Sequence, residues 1–389
     1  MKKENQFLFE VSWEVCNKVG GINTVIASKI REAVKHFGSN YCLLGPWLDQ
    51  NEGFVEETSP ALANIRHKIE SQGIQAKVGY WDTPEKPMVI LLKFANQEDK
   101  DKLLYNLWEF YGVDSLNAAW DYIEPVIFST VAARIIDSVS ELYEDVKIFA
   151  HFHEWMTGAG LLHLKKNAPH ISTVFTTHAT ILGRSMAGNG LDIYDNLEAI
   201  EPEKQASTFN VVPKFSMEKT AAREADCFTT VSEITALEAA HILATPLDKV
   251  LPNGFNVQGL PDMQSNPGYF KENREKLLSF ASRFLEKELD PENTLLVSTS
   301  GRYEFRNKGL DVFIDALSEI RKNNEIPEGK QIITFFFVVA GVDRVYKKSD
   351  GQIERYSLIS THPLWDPAHD PIINHTRSEQ LFNKEDDNL

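Results

Sequence analysis

Residues 6–37 read QFLFEVSWEVCNKVGGINTVIASKIREAVKHF, and this stretch decides the fold. Gln6 to Trp13 predicts a strand of mainly apolar residues. Paired glycines, Gly20-Gly21, separate it from the next element. Ile22, Val25, Ile26, Ile30, Val34 and Phe37 then recur at helical spacing on one face. The unit is strand, glycine turn, helix, and Tyr41 to Leu44 gives the next strand, ended by Gly45-Pro46.

The same alternation continues downstream. Met88–Phe94, Lys147–Phe152, Ser172–Thr176, Phe228–Val231 and Val250-Leu251 read as strands. A long helix carries Leu116, Trp120, Ile123, Ile127, Val131 and Ile135, and a shorter one spans Ala159–Leu164. Connections this long imply parallel strands with right-handed crossovers, hence a doubly wound α/β sheet. After the turn Pro252-Asn253-Gly254 comes a polar stretch, Gln258–Pro267. A domain boundary is therefore expected near residue 260, dividing the chain into 1–260 and 261–389. The second part offers a helix near Tyr269–Leu289, a strand Leu295–Thr299, a helix from Leu310 and a strand Ile332–Ala340. Beyond Gly341 the regular pattern stops, so the second domain reads as incomplete.

Composition narrows the function. The 389 residues carry 40 basic and 56 acidic side chains, a net charge of −16, which excludes a general nucleic-acid or anionic-membrane binder. Three scattered cysteines, Cys16, Cys42 and Cys227, give neither a zinc pattern nor a disulfide framework. No apolar run approaches a membrane span, so a soluble cytoplasmic protein is expected.

Three loops after predicted strands carry chemistry. Glu14–Gly21 holds Lys18, Gly20 and Gly21 before a helix N-terminus. It reads either as an anion loop or as a tight turn. Ser300–Gly309 sets Gly301, Arg302, Arg306 and Lys308 at the carboxyl end of a strand, a suitable place for a diphosphate. Thr176–Arg184 offers His178 for a sugar hydroxyl and Arg184 for a phosphate. His151 and His153 would face one side of a strand with no third ligand nearby in sequence, so anchoring histidines are preferred to a metal pair. Ser232 reads as a helix cap. No Gly-x-Ser-x-Gly elbow or Walker loop occurs.

Taken together, Phe9–Ile22, Ala150–Trp155, Thr177–Thr180, Thr229–Ser232, Pro252–Gly254, Gly301–Glu304 and Asn307–Gly309 resemble, in order, the blocks of the animal and fungal type of glycogen synthase. This is a retaining group, glycosyltransferase family 3, and the short chain looks more like its bacterial members. The resemblance spans roughly residues 7 to 340. It implies GT-B architecture, two Rossmann-like domains facing a cleft. It implies glucose transfer from UDP-glucose or ADP-glucose to the non-reducing end of glycogen or another α-1,4-glucan, with retention. Among matched positions it implies Arg184, Arg302 and Lys308 on the donor diphosphate and His178 near the donor sugar. Lys18, Gly20, Gly21, Asn253 and Gly301 would line the donor site. It implies no metal and no cofactor beyond the sugar nucleotide, and leaves a homo-oligomer open. The family's Glu-Pro-Trp-Gly-Tyr-Thr-Pro block is not matched by Glu124-Pro125 or Glu201-Pro202. A truncated chain is therefore expected, with a non-catalytic glucan-binding or regulatory chain as the alternative reading. A trehalose- or sucrose-forming enzyme of the same architecture is a more distant third.

Overall fold

The computed structural model describes residues 5–49, 51–257, 260–262, 264–285, 287–339, 344–349, 354–359 and 370–381. The chain divides into two compact units, Met1–Asn256 and Val257–Leu389. The first unit runs β1 (Gln6–Val11), α1 (Ile22–Phe37), β2 (Tyr41–Pro46), β3 (Phe54–Glu56), α2 (Ala63–Ser71), β4 (Gln75–Trp81) and β5 (Met88–Lys93). It continues through α3 (Lys100–Tyr111), α4 (Trp120–Ser140), β6 (Lys147–His153), α5 (Gly158–Asn167), β7 (Ser172–Thr177) and α6 (Ile181–Gly188). It closes with α7 (Pro202–Thr208), α8 (Val212–Glu224), β8 (Cys227–Thr230), α9 (Glu233–Ile242) and β9 (Lys249–Val250).

Among the described residues the strands of this unit form one nine-stranded sheet, in the order β3-β4-β5-β2-β1-β6-β7-β8-β9. From β5 to β9 every neighbouring pair is parallel. The all-parallel expectation fails at one edge, where β4 runs antiparallel to both β5 and β3. These two strands escaped the sequence reading. Gln75–Trp81 mixes polar and apolar positions, and a short connection to β5 makes it a hairpin partner rather than a crossover strand.

Central strands are apolar at successive positions because both faces are covered. Phe7, Phe9, Ile90 and Leu92 pack into the larger core with α2, α4 and α5. Leu8, Leu43, Val89 and Leu91 face the other side, against Ile26 and Ile30 of α1. The long helix starts at Trp120, not at Leu116, which lies in the preceding turn and is half exposed. Strand β2 runs on through Gly45-Pro46, past the expected stop at Leu44.

The second unit holds α10 (Pro267–Phe284), β10 (Thr294–Arg302), α11 (Leu310–Lys322), β11 (Gln331–Val339), β12 (Arg344–Ser349), β13 (Glu354–Ile359) and α12 (Pro371–Ser378). Strands β10 and β11 are parallel and joined through α11, the crossover unit the sequence predicts. Regular structure does not stop at Gly341: β12 and β13 form an antiparallel pair, and α12 packs on α11. Their charged residues, as in Arg344–Ser349, hide strand character from a search for apolar runs.

Helices α4 and α5 approach very closely at Gly160. A Cβ there would lie 2.3 Å from the Ser129 carbonyl oxygen and 2.9 Å from the Phe152 ring. Neither the backbone nor the fully buried ring can move away without separating layers of the core. Gly160→Ala should therefore destabilise the first unit by about 1–3 kcal/mol. Urea denaturation would show this as a lower midpoint at an unchanged slope.

Candidate functional site

Strand β1 comes first in chain order yet lies mid-sheet, with β2 on one side and β6 on the other. The order of winding reverses between β1 and β6, and open α/β sheets bind ligands beside the carboxyl ends of strands at such a point. Glu10 of β1 pairs in register with His151 of β6, and His153 with Thr176 of β7. His178 follows β7 directly.

These side chains form one network. Glu10 is fully buried, and its Oε1 lies 2.6 Å from His153 Nε2 and in contact with the Lys29 ammonium of α1. Its Oε2 accepts a hydrogen bond from the Tyr41 hydroxyl at 2.5 Å. His153 Nδ1 lies 3.0 Å from His178 Nε2. His151 Nε2 lies 2.7 Å from Thr176 Oγ1, which in turn meets Thr229 Oγ1 at 2.6 Å. Burial alone would raise the Glu10 carboxyl, but the Lys29 charge and the His153 hydrogen bond outweigh it and hold the group well below the usual carboxylate range. Burial lowers His151 and His153, and lowers His178 to about 3 with help from the neighbouring cations. The three imidazoles are thus neutral at pH 7.

The third group beside His151 and His153, absent from their neighbourhood in sequence, comes from β1. Glu10, His151 and His153 place ligand-type atoms within 4.8 Å of one another. The Lys29 ammonium already stands on that carboxylate, so the cluster carries its own cation.

The β7–α6 turn is held by three buried glutamates. Glu154 accepts the His178 backbone N–H at 3.0 Å. Glu218 of α8 accepts the Thr177 hydroxyl at 2.6 Å and the Ile181 N–H at 2.8 Å. Glu238 of α9 accepts both the N–H and the hydroxyl of Thr180, at 3.2 and 2.6 Å. Thr180 Oγ1 caps α6 through the Gly183 N–H at 2.9 Å. Gly183 must lack a side chain, because a Cβ would lie 2.2 Å from Glu238 Oε1. Glu154 itself is held at φ 66°, a costly backbone state for a residue with a Cβ. Burial raises Glu154 while the charge of Arg184 opposes the shift; burial and the Glu154 charge push Glu218 up to about 8.

The first glycine loop has its anion built in. Glu14 Oε2 accepts the N–H groups of Gly20 and Asn23, both at 2.9 Å. A Cβ at Gly20 would lie 2.8 Å from Glu14 Oε1, whereas one at Gly21 would meet nothing within 4 Å. Lys18 is exposed beside this loop, and Asn253 is exposed in the irregular segment after β9, where a turn is expected from the sequence. Ser232 caps α9 as expected, accepting the Thr235 N–H at 3.2 Å.

In the second unit, Gly301 and Arg302 are the last residues of β10, which runs past the expected end at Thr299, and Lys308 lies in the turn between β10 and α11. Arg302 Nη2 pairs with Glu304 Oε1 at 2.8 Å, and Lys308 is exposed. The loop closes at Gly309, whose φ of 62° starts α11. Tyr303 braces it from behind by donating to Asp370 Oδ1 at 2.6 Å.

The strand-end loops predicted from sequence are thus where the polar side chains gather, and residues 10–350 match the family model described as glycogen synthase. The chain belongs to the glycogen synthase family. It is 32% identical to the liver glycogen [starch] synthase of Rattus norvegicus over 375 residues, 94% of this chain and 52% of that one. It is 33% identical to the glycogen [starch] synthase of Neurospora crassa over 348 residues, 86% of this chain and 49% of that one. Isoform 2 of Saccharomyces cerevisiae matches at 32% over 377 residues, 92% and 53% of the two chains. The chain spans about half the length of these curated relatives. The mainly parallel sheet of its first unit agrees with the doubly wound α/β class expected from the sequence.

Sequence reasoning missed the supporting acids Glu10, Glu154, Glu218 and Glu238. Glu10 left a signal as a lone charge inside the apolar strand Phe7–Val11 and Glu154 lies within the Ala150–Trp155 block, whereas Glu218 and Glu238 carry no local signal.

Glu218 supplies a test of the turn. Folded, it keeps its proton up to about pH 8; unfolded, it releases it near 4.5. The folded state therefore binds more protons in that window, and the residue's contribution to stability falls as pH rises from 4.5 to 8. Against Glu218→Gln, the wild-type chain should lose relative stability from pH 5 to pH 8, by up to about 1.4 kcal/mol per pH unit. A difference independent of pH, measured by denaturant titration, would mean that Glu218 is ionised throughout.

Proposed function

We propose that this chain transfers glucose from UDP-glucose or ADP-glucose to the 4-hydroxyl at the non-reducing end of an α-1,4-glucan such as glycogen, retaining the α configuration. The observation that carries this reading is the Gly301–Gly309 stretch, the end of β10 and the turn before α11, found in a member of the glycogen synthase family. It presents Arg302 and Lys308 at the carboxyl end of a parallel strand, ahead of a helix.

As the glycosidic bond breaks, the leaving diphosphate gains negative charge. Cations already in place stabilise that state more than the ground state, which is what accelerates the step. Arg302 offers a planar fork for two phosphate oxygens, and Lys308 a point charge. Arg184 is assigned to the same diphosphate. His178 is assigned to the donor sugar, where a neutral imidazole can hydrogen-bond a hydroxyl without adding charge. Lys18, Gly20, Gly21, Asn253 and Gly301 are assigned to the lining of the substrate site. Retention is assigned to a front-face displacement in which a leaving phosphate oxygen takes the acceptor's proton. The proposed chemistry uses no metal and no further cofactor. The free thiols of Cys16, Cys42 and Cys227 agree with a reducing, cytoplasmic setting.

The test is glucose incorporation into glycogen by the purified chain, with UDP-glucose and ADP-glucose in parallel. Incorporation with at least one donor is expected, lowered about 10²–10³-fold in Arg302→Ala and in Lys308→Ala. Glycogen binding without turnover by folded protein would instead establish a glucan-binding chain.

A further inference from the structure

We infer that Glu10 and His153 are positioning residues that fix the proton of the His178 ring on Nε2 and leave its Nδ1 as a hydrogen-bond acceptor. The functional half of this inference rests on the assignment of His178 to the donor sugar.

The argument follows donors and acceptors along one chain of contacts. Glu10 has no solvent exposure, and its Oε2 is engaged by the Tyr41 hydroxyl. Its Oε1 faces two groups, the Lys29 ammonium and His153 Nε2 at 2.6 Å. Lys29 can only donate, and it keeps the carboxylate ionised. An ionised carboxylate can only accept, so His153 Nε2 must carry a hydrogen. The ring of His153 is 2% exposed, and burial, helped by the Lys29 cation, opposes a second proton on Nδ1 more strongly than the Glu10 carboxylate favours it. His153 Nδ1 is therefore bare, and it lies 3.0 Å from His178 Nε2. Two bare nitrogens at that distance would repel, so His178 Nε2 carries the hydrogen. The neutral His178 ring then has Nδ1 as its one acceptor.

The opposite arrangement is closed off on every side that faces the chain. His151 cannot relieve Glu10 of its hydrogen bond, because its Nδ1 stands 3.8 Å from Oε1 and its Nε2 is engaged with Thr176. The His178 main chain is tied separately, through its N–H to Glu154. Both the position and the protonation of the ring are thus set from outside the turn that carries it. A glucose hydroxyl meeting this ring through Nδ1 would donate to it, and an incoming acceptor group such as a phosphate oxygen would be refused. Specificity for a hydroxyl is then written by a carboxylate two side chains away.

The test reads the rings directly, with turnover as a second measure. In the full chain labelled with ¹⁵N-histidine, His178 and His153 are assigned by the loss of their signals in His178→Gln and His153→Gln. At pH 7 both rings should be neutral with protonated Nε2. A scalar coupling through the hydrogen bond should join His178 Nε2 to His153 Nδ1. Protonated Nδ1 on His178, a doubly protonated ring, or no coupling would overturn the inference, whatever the chain's activity. Turnover is then compared for His153→Gln and wild type. A fall in kcat of about 10²-fold with little change in the donor KM is expected for a misplaced ring. An unchanged kcat in folded His153→Gln would overturn the positioning role, while a wild-type chain with the coupling but no turnover would refute only the assigned activity.

Discussion

A carboxylate with no access to water is the constraint on which the first unit turns. Glu10 sits in the middle strand of a nine-stranded sheet, and burying such a charge without partners is prohibitively expensive. The chain answers with partners from three other elements: Lys29 from α1, Tyr41 from β2 and His153 from β6. Each partner lies far from Glu10 in sequence or across a strand boundary. Satisfying one charge therefore fixes the helix after the glycine loop, the neighbouring strands and the histidine at the strand end. Removing Glu10 would leave the Tyr41 hydroxyl and His153 Nε2, both buried, without this partner.

The same logic operates one strand further along. The β7–α6 turn has its amides at His178, Thr180 and Ile181 answered by Glu154, Glu238 and Glu218. These acids come from three different parts of the chain, so the turn is clamped by the body of the unit rather than by its own sequence. That is a reasonable way to hold the His178 ring on the turn and the Arg184 guanidinium in the first turn of α6. It also accounts for strain at Glu154, since a residue at positive φ persists only where its surroundings over-determine it.

How much of this was legible beforehand depended on the range of the interactions. Central strands such as Met88–Lys93 were readable because burial on both faces makes them continuously apolar. The edge strands Phe54–Glu56 and Gln75–Trp81 were not, because an edge keeps polar residues and a hairpin leaves no crossover pattern. Arg344–Ser349 and Glu354–Ile359 escaped for the same reason. Among the candidate residues, His178, Arg184, Arg302 and Lys308 stood out because they come after predicted strands. The acids did not, because Glu218 and Glu238 look like ordinary helix-surface residues until α8 and α9 are packed beside the turn. No local spacing encodes that contact. The clash that excludes a side chain at Gly183 was equally invisible, since its cause lies in Glu238, 55 positions away in the numbering.

The Glu14 side chain folded back onto Gly20 and Asn23 has an electrical consequence. The start of α1 would otherwise project a positive end toward any visitor. With a carboxylate of its own chain seated there, that end is largely neutralised before a ligand arrives. What is left facing outward is the exposed Lys18, the exposed Val19 and a stretch of nearly neutral backbone. Such a surface has little to offer a bare phosphate beyond one lysine, but it does not penalise an uncharged, hydroxyl-rich molecule lying against it.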